Sequence, residues 1–249
     1  STIYNLRLQD IENKIALAEN RSKLCSLDRL EWCASARQRI VWAKNKINDI
    51  KSSSTGNTGT GIDKVMDYSY ALAWLGIAND FLDIAITNNG PKFVESEYFK
   101  DLAQEYIVDI ENEFVLSNPA ITSNEDLQRR LKAAKTDYEL GWYVTSLYDA
   151  ASAKAVLMSS KENESEGFDE NIFLEKYNQL MELRTSAHMA NSENVWSKLF
   201  FDHTLYYYKQ YQYFKPKNEA RADIYIQTAN TIASISMELY LVETIVNDY

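Results

Sequence analysis

The chain is short of the residues that break helices and of those that carry metal or nucleophilic chemistry. Its 249 residues include 7 Gly, 3 Pro, 2 Cys and 2 His. So few chain breakers exclude the turn-rich pattern of an all-β fold and favour long helices. The two histidines, His188 and His203, stand in neither a Glu-x-x-His nor a His-Glu-x-x-His arrangement, so no ligand set for a di-iron bundle or a zinc hydrolase is present. There is no glycine-rich phosphate loop and no nucleophile elbow. The longest apolar run, Tyr70 to Ala78, falls far short of the roughly 20 residues that span a bilayer. No catalytic residue, metal site or cofactor is assigned from the sequence.

Positive charge is the other shortage. Against 36 acidic residues stand 26 basic ones, a formal charge of −10. Such a surface repels phosphate backbones and anionic lipid, so neither nucleic acid nor membrane insertion is expected. No secretory signal is visible. The chain opens at Ser1 without Met and enters the helical period of Tyr4, Leu8, Ile11, Ile15 and Ala18 almost at once, which points to processing or excision from a longer protein. An extracytoplasmic location would fit such a fragment. Two N-glycosylation triplets, Asn20-Arg21-Ser22 and Asn163-Glu164-Ser165, fall at expected loops or helix ends.

What the chain has in quantity is apolar surface, 45% of its residues, spaced by three and four. This predicts an all-α fold of antiparallel helical hairpins, in a bundle or short irregular solenoid. About eight helices are expected, near residues 2–20, 28–50, 62–88, 94–116, 124–160, 169–190, 192–214 and 218–247. Turn signals at Asn88-Asn89-Gly90-Pro91, Ser117-Asn118-Pro119 and Lys215-Pro216-Lys217-Asn218 separate them. A flexible Ser/Thr/Gly-rich loop is expected at 51–61 and a polar loop at 159–167. Two helices ahead of the first loop would fold poorly alone, so residues 1–249 are expected to form one domain.

Four windows, 30–43, 72–85, 140–153 and 194–207, each place a Trp two residues in, at Trp32, Trp74, Trp142 and Trp196. Ala43, Ala85 and Ala153 close three of them, a pattern suited to closely packed helices. The windows start 42, 68 and 54 residues apart, which is no strict repeat. Trp74, Leu75, Ile77 and Ala78 are expected inside, on a helix apolar around most of its circumference. Cys25 and Cys33 on one helix would stand about 12 Å apart, too far to bridge. If Ser26-Leu27-Asp28 starts a helix, Cys25 lies in the preceding turn and a disulfide becomes feasible; two buried thiols are the other reading.

Two clusters invite functional readings. Asp80 and Asp83 share a helix face beside Asn79, a spacing able to hold Mg²⁺ with substrate phosphates. The run "NDFLD" is similar to the aspartate-rich motif of terpene synthases, but "NSENVWSKLFFD" (191–202) has the types of that family's second motif at the wrong intervals. The other cluster, "YYYKQYQYF", sets Tyr207, Tyr211 and Phe214 on one helical stripe and Tyr206 and Tyr213 on another. Tyrosine combines a rigid apolar body with a wet hydroxyl, as recognition surfaces do. If these five residues form such a surface, Tyr207 and Tyr211 should expose ring area together; a helix lying between two neighbours would bury both stripes.

The alternation of Tyr/Trp-rich and Ala-rich helices, opening with "IYNLRLQDIENKIALAEN" (3–20), resembles the helical C-terminal extensions of archaeal Lon-like serine proteases. The resemblance implies an accessory helical module. No Ser–Lys catalytic pair can be assigned here and no residue is carried over. The expected function is a non-catalytic interaction or scaffold module that binds a partner protein or itself through an aromatic face. The alternative is an all-α enzyme with an acidic site around Asp80 and Asp83, joined by His203.

Overall fold

The computed structural model describes residues 2–53, 61–87, 90–164, 170–185 and 195–248, with the side chains of 2–6, 53, 61–64, 164 and 195 left aside. The described residues are helical and contain no strand. In chain order the helices are α1 (Thr2–Ser22), α2 (Leu30–Ser53) after a 3₁₀ turn at Leu27–Arg29, α3 (Gly61–Ala85), α4 (Glu97–Val115) and α5 (Pro119–Thr122). They continue with α6 (Glu125–Glu139), α7 (Tyr143–Glu164), α8 (Glu170–Thr185), α9 (Val195–Phe214) and α10 (Glu219–Asp248). Of the expected loop at 51–61, residues 54–60 lie outside the described residues, as do 165–167 of the polar loop expected at 159–167 and His188; residues 159–164 are not loop but the last turns of α7.

Among the described residues ten helices stand where about eight were expected, for two local reasons. Asn118 accepts the N–H of Ile121 at 3.1 Å and so caps the short α5, with Pro119 at its first position. The span read as one helix over 124–160 breaks at Gly141, whose φ of 74° is left-handed. The Gly141 N–H reaches Tyr138 O at 3.0 Å and the Trp142 N–H reaches Asp137 O at 2.9 Å. These are the paired bonds of a Schellman C-cap, which satisfies the last carbonyls of α6 and needs glycine at that position.

The chain divides into two compact units, Ser1–Asp101 with Ala133–Ser146, and Leu102–Lys132 with Leu147–Tyr249. In the first, α1, α2 and α3 run up, down and up. Glu12 with Lys51 and Glu19 with Lys44 tie α1 to α2, while Lys46 with Asp67, Trp42 with Trp74 and Trp32 with Phe81 tie α2 to α3 in one antiparallel register. The interior is a seam of buried residues at spacings of three and four: Ala36, Ile40, Ala43 and Ile47 on α2, and Ala71, Leu75, Ala78, Leu82 and Ala85 on α3. Ala at five of these nine positions lets the backbones approach closely.

Leu75 and Ala78 are therefore inside as expected, but Ile77 is 37% exposed and Trp74 half-buried against the Trp42 edge, 4.8 Å away. The expectation of an enclosed helix fails because α3 packs against α1 and α2 along one stripe, leaving Val65, Met66, Tyr70 and Ile77 on its outer side. The four tryptophans occupy dissimilar places. Trp32 and Trp74 meet rings across the α2–α3 interface, Trp142 lies beyond the α6 cap under Arg37, and Trp196 stacks on Tyr148 at the start of α9.

Cys25 and Cys33 form a disulfide, with Cα atoms 5.9 Å apart and both residues buried. Of the two readings of the sequence the bridge holds, because the chain turns at Ser26 and carries Cys25 off the axis of α2. That turn is fastened to the α3–α4 connection: Ser26 N–H to Ala85 O at 2.9 Å, Leu27 N–H to Pro91 O at 2.8 Å, Phe93 N–H to Cys25 O at 3.0 Å. A Cβ on Gly90 would come within 2.8 Å of Asp28 Oδ1 and 2.9 Å of Thr87 Oγ1, so a larger residue at this crossing would have to push both side chains aside. Beside it, the buried Arg37 donates to Glu95 Oε1 at 2.6 Å and to Ser22 O at 3.3 Å, and lies over the rings of Phe93 and Trp142. Glu95 also accepts the Val144 N–H at the start of α7, at 3.1 Å. Desolvation raises Glu95 and lowers Arg37 from their ordinary values, each opposed by the other's charge.

In the second unit α8, α9 and α10 again alternate in direction. Arg184 with Asp202 and Phe173 with Tyr208 set α8 against α9, and Phe214 with Tyr225 sets α9 against α10. Phe173, Leu180, Phe201, Ile226, Ala229 and Ala233 form the interior. Glu243 of α10 closes the open end of α9: Oε1 accepts the N–H groups of Trp196 and Ser197 at 3.1 and 3.0 Å, and Oε2 accepts from the Ser197 hydroxyl. Burial pushes Glu243 up to about 7 despite these donors.

Candidate aromatic interaction surface

The Tyr-rich segment closes α9 and turns into α10. Lys215 N–H bonds Tyr211 O, and Lys217 and Asn218 N–H both bond Phe214 O, all at 2.8 Å. The Asn218 side chain then accepts the Arg221 N–H at 3.0 Å and caps α10. This tight connection brings the end of α9 against the start of α10, where Phe214 and Tyr225 stack with centroids 5.4 Å apart.

The five aromatics singled out in the sequence separate by depth. Tyr211 is 5% exposed and packs in the interior, stacked on Tyr208, which meets Phe173 and Tyr177 of α8. Tyr207 and Phe214 are half-buried at the rim, and Tyr206 and Tyr213 are 55% and 58% exposed. The paired exposure of Tyr207 and Tyr211 is thus corrected: α8 covers the deeper part of that stripe, and the second stripe is the outward one.

Cations lie on these rings. Lys217 Nζ is 3.2 Å from the Tyr213 centroid, and the Arg221 guanidinium is 4.2 Å from that of Phe214 and 5.8 Å from that of Tyr225. Lys215 sits over Tyr211 and bonds Glu170 Oε2 at 2.6 Å; that hydrogen bond, then the one to Tyr211, holds its pKa above the ordinary value. Desolvation raises Tyr211 in turn. Residues 206–225 carry four cations, Lys209, Lys215, Lys217 and Arg221, against Glu219 and Asp223, a local positive excess in a chain of charge −10. The hairpin end offers planar rings and cations, groups suited to stacking and charge contacts.

The acidic cluster has a different geometry. Arg21 of α1 donates to Asn79 Oδ1 at 2.6 Å and to Asp83 Oδ1 at 2.5 Å, so these residues tie α1 to α3 at the surface. Asp80 is exposed beside them. His203 belongs to the second unit, exposed on α9 with its ring edge toward Phe200. No group of three or more metal-ligating side chains occurs among the described residues, and no described helix is long and apolar enough to cross a membrane.

The sequence missed Arg37, Glu95 and Glu243, whose partners lie 58 and 46 residues away in the chain. No local pattern marks such pairs. Comparison with protein-family models, curated proteins and solved structures yields no match to this chain.

Proposed function

We propose that the protein is a non-catalytic helical interaction module whose α9–α10 end, built from Tyr206, Tyr213, Phe214, Lys217 and Arg221, engages an acidic surface of a partner protein or of a second copy. The observation that carries this reading is the exposure of Tyr206 and Tyr213 on a segment whose neighbours Tyr208 and Tyr211 already complete the interior. An isolated exposed aromatic needs no explanation; a group of rings overlaid by cations on an otherwise acidic protein fits a recognition surface. Within the same proposal the chain is an accessory module of a larger assembly, as its resemblance to Lon-like protease extensions implies. A buried disulfide supports placing it in an oxidising compartment.

Light scattering across a concentration series, beside affinity capture at low and high salt, tests the proposal. The expected result is a self-complex or a reproducible partner whose binding weakens as salt screens the Lys217 and Arg221 charges. A strict monomer that captures no partner at any salt concentration contradicts it.

A further inference from the structure

The outer face of α3 is left uncovered by the described residues. Its buried stripe, Ala71, Leu75, Ala78, Leu82 and Ala85, packs on α1 and α2, while Met66, Tyr70, Ala73, Ile77, Asp80 and Ile84 are exposed on the other side. These six positions alternate in spacing between four and three residues, as the buried stripe does. Such spacing is the seam of a coiled-coil contact, so α3 carries a second seam besides the one its own unit uses. No charged residue stands between Asp67 and Asp80, whereas a helix facing water ordinarily sets charges on its outer side.

Gly76 borders the exposed seam. A Cβ added there meets nothing within 4 Å, so packing inside the chain does not call for glycine, and glycine weakens a helix relative to alanine. A glycine that the chain's own fold does not use fits the close approach of another helix from outside.

We propose that α3 pairs with α3 of a second copy of the chain, antiparallel about a two-fold axis level with Leu75. In that register Met66 meets Ile84 of the second copy, Tyr70 meets Asp80 of the second copy, and Ala73 meets Ile77 of the second copy; symmetry repeats each pair. Apolar groups meet apolar groups, a small side chain meets a large one, and a phenol donates to a carboxylate. The two Gly76 residues come together beside the axis. The occupant is argued from this self-complementarity, because a two-fold contact requires each residue to meet the partner of its own partner. A parallel pair would instead set Asp80 against Asp80. A contact of one helix per chain belongs to the small interfaces, below about 1,200 Å², so the dimer is reversible and forms at micromolar concentration. Salt distinguishes it from the α9–α10 contact: an apolar seam holds at high salt, where the Lys217 and Arg221 charges are screened.

Analytical ultracentrifugation of the full chain over a concentration series at high salt tests this. A monomer–dimer equilibrium is expected. Ala73→Glu should weaken it at least tenfold with an unchanged thermal midpoint, because Ala73 is exposed in the single chain. Gly76→Glu, at a position with open space above it, carries the same test if Ala73→Glu does not fold. Oxidation reads the orientation: an equal mixture of Tyr70→Cys and Asp80→Cys chains should form a cross-linked dimer, and neither variant should do so alone. Ala73→Glu also supplies the background in which the α9–α10 end is titrated by itself. A wild-type chain that is monomeric at every concentration, full dimerisation of the folded Glu variants, or self-cross-linking of either Cys variant would each overturn the assignment. A monomeric wild type whose capture of another protein is lost in Ala73→Glu would also overturn it, in favour of a foreign helix.

Discussion

At the scale of single residues the groups that most tie stability to their surroundings are ionisable side chains taken out of water. Glu243 is held at about 7, above its ordinary 4.5, so the folded chain keeps a proton that the unfolded chain has already lost between those values. Stability from this group therefore falls as pH rises from about 4.5 to 7, by roughly 3 kcal/mol at about 1.4 kcal/mol per pKa unit. Glutamine keeps an acceptor for the α9 N–H groups and does not ionise. Denaturant melts should show Glu243→Gln gaining on the wild type across that window; a constant difference between the two would remove the linkage. At Arg37 the expectation is a simple loss. Arg37→Met leaves Glu95 buried without its partner and should cost about 3–5 kcal/mol, much of it recovered by Arg37→Met with Glu95→Gln. Neither residue is legible in the sequence, since a buried ion pair is defined by what folds against it and not by its neighbours in the chain.

The elements were far more legible. Residues 71, 75, 78, 82 and 85 of α3 follow the helical period in the sequence and are the buried stripe of the structure. Periodicity failed at Gly141 because apolar spacing continues on both sides of it, and the cue to the break is the glycine itself, read in the sequence as part of the Trp window 140–153. Gly141→Ala should lower stability by about 1–2 kcal/mol, the cost of a left-handed alanine. A Cβ there meets only Tyr143 Oη, at 4.0 Å, so the cost is conformational, and Gly141→Asn should lose less. An unchanged thermal midpoint for Gly141→Ala would remove the cap from α6. Reducing Cys25–Cys33, or replacing both by Ser, should cost about 2–3 kcal/mol for so short a loop, as read from melts with and without reductant.

For the whole molecule, the sequence shows that the tyrosine segment has two aromatic stripes but not which is inward. That choice depends on Phe173 and Tyr177 of α8, more than 30 residues earlier, closing over Tyr208 and Tyr211. The acidic cluster was legible as a cluster, yet its partner, Arg21, lies 62 residues from Asp83, and pairing turns it into a surface tie worth at most about 1 kcal/mol. In the proposed function the outward stripe binds while the inward one holds the unit together. Parallel denaturant melts and light-scattering or partner-binding titrations of Tyr206→Ser/Tyr213→Ser and of Tyr211→Ala separate the two most directly. The double variant is expected to lose at least tenfold in association with stability within about 0.5 kcal/mol of wild type, whereas Tyr211→Ala should lose about 3–5 kcal/mol of stability. Association undiminished in the double variant, with its fold intact, would contradict the claim.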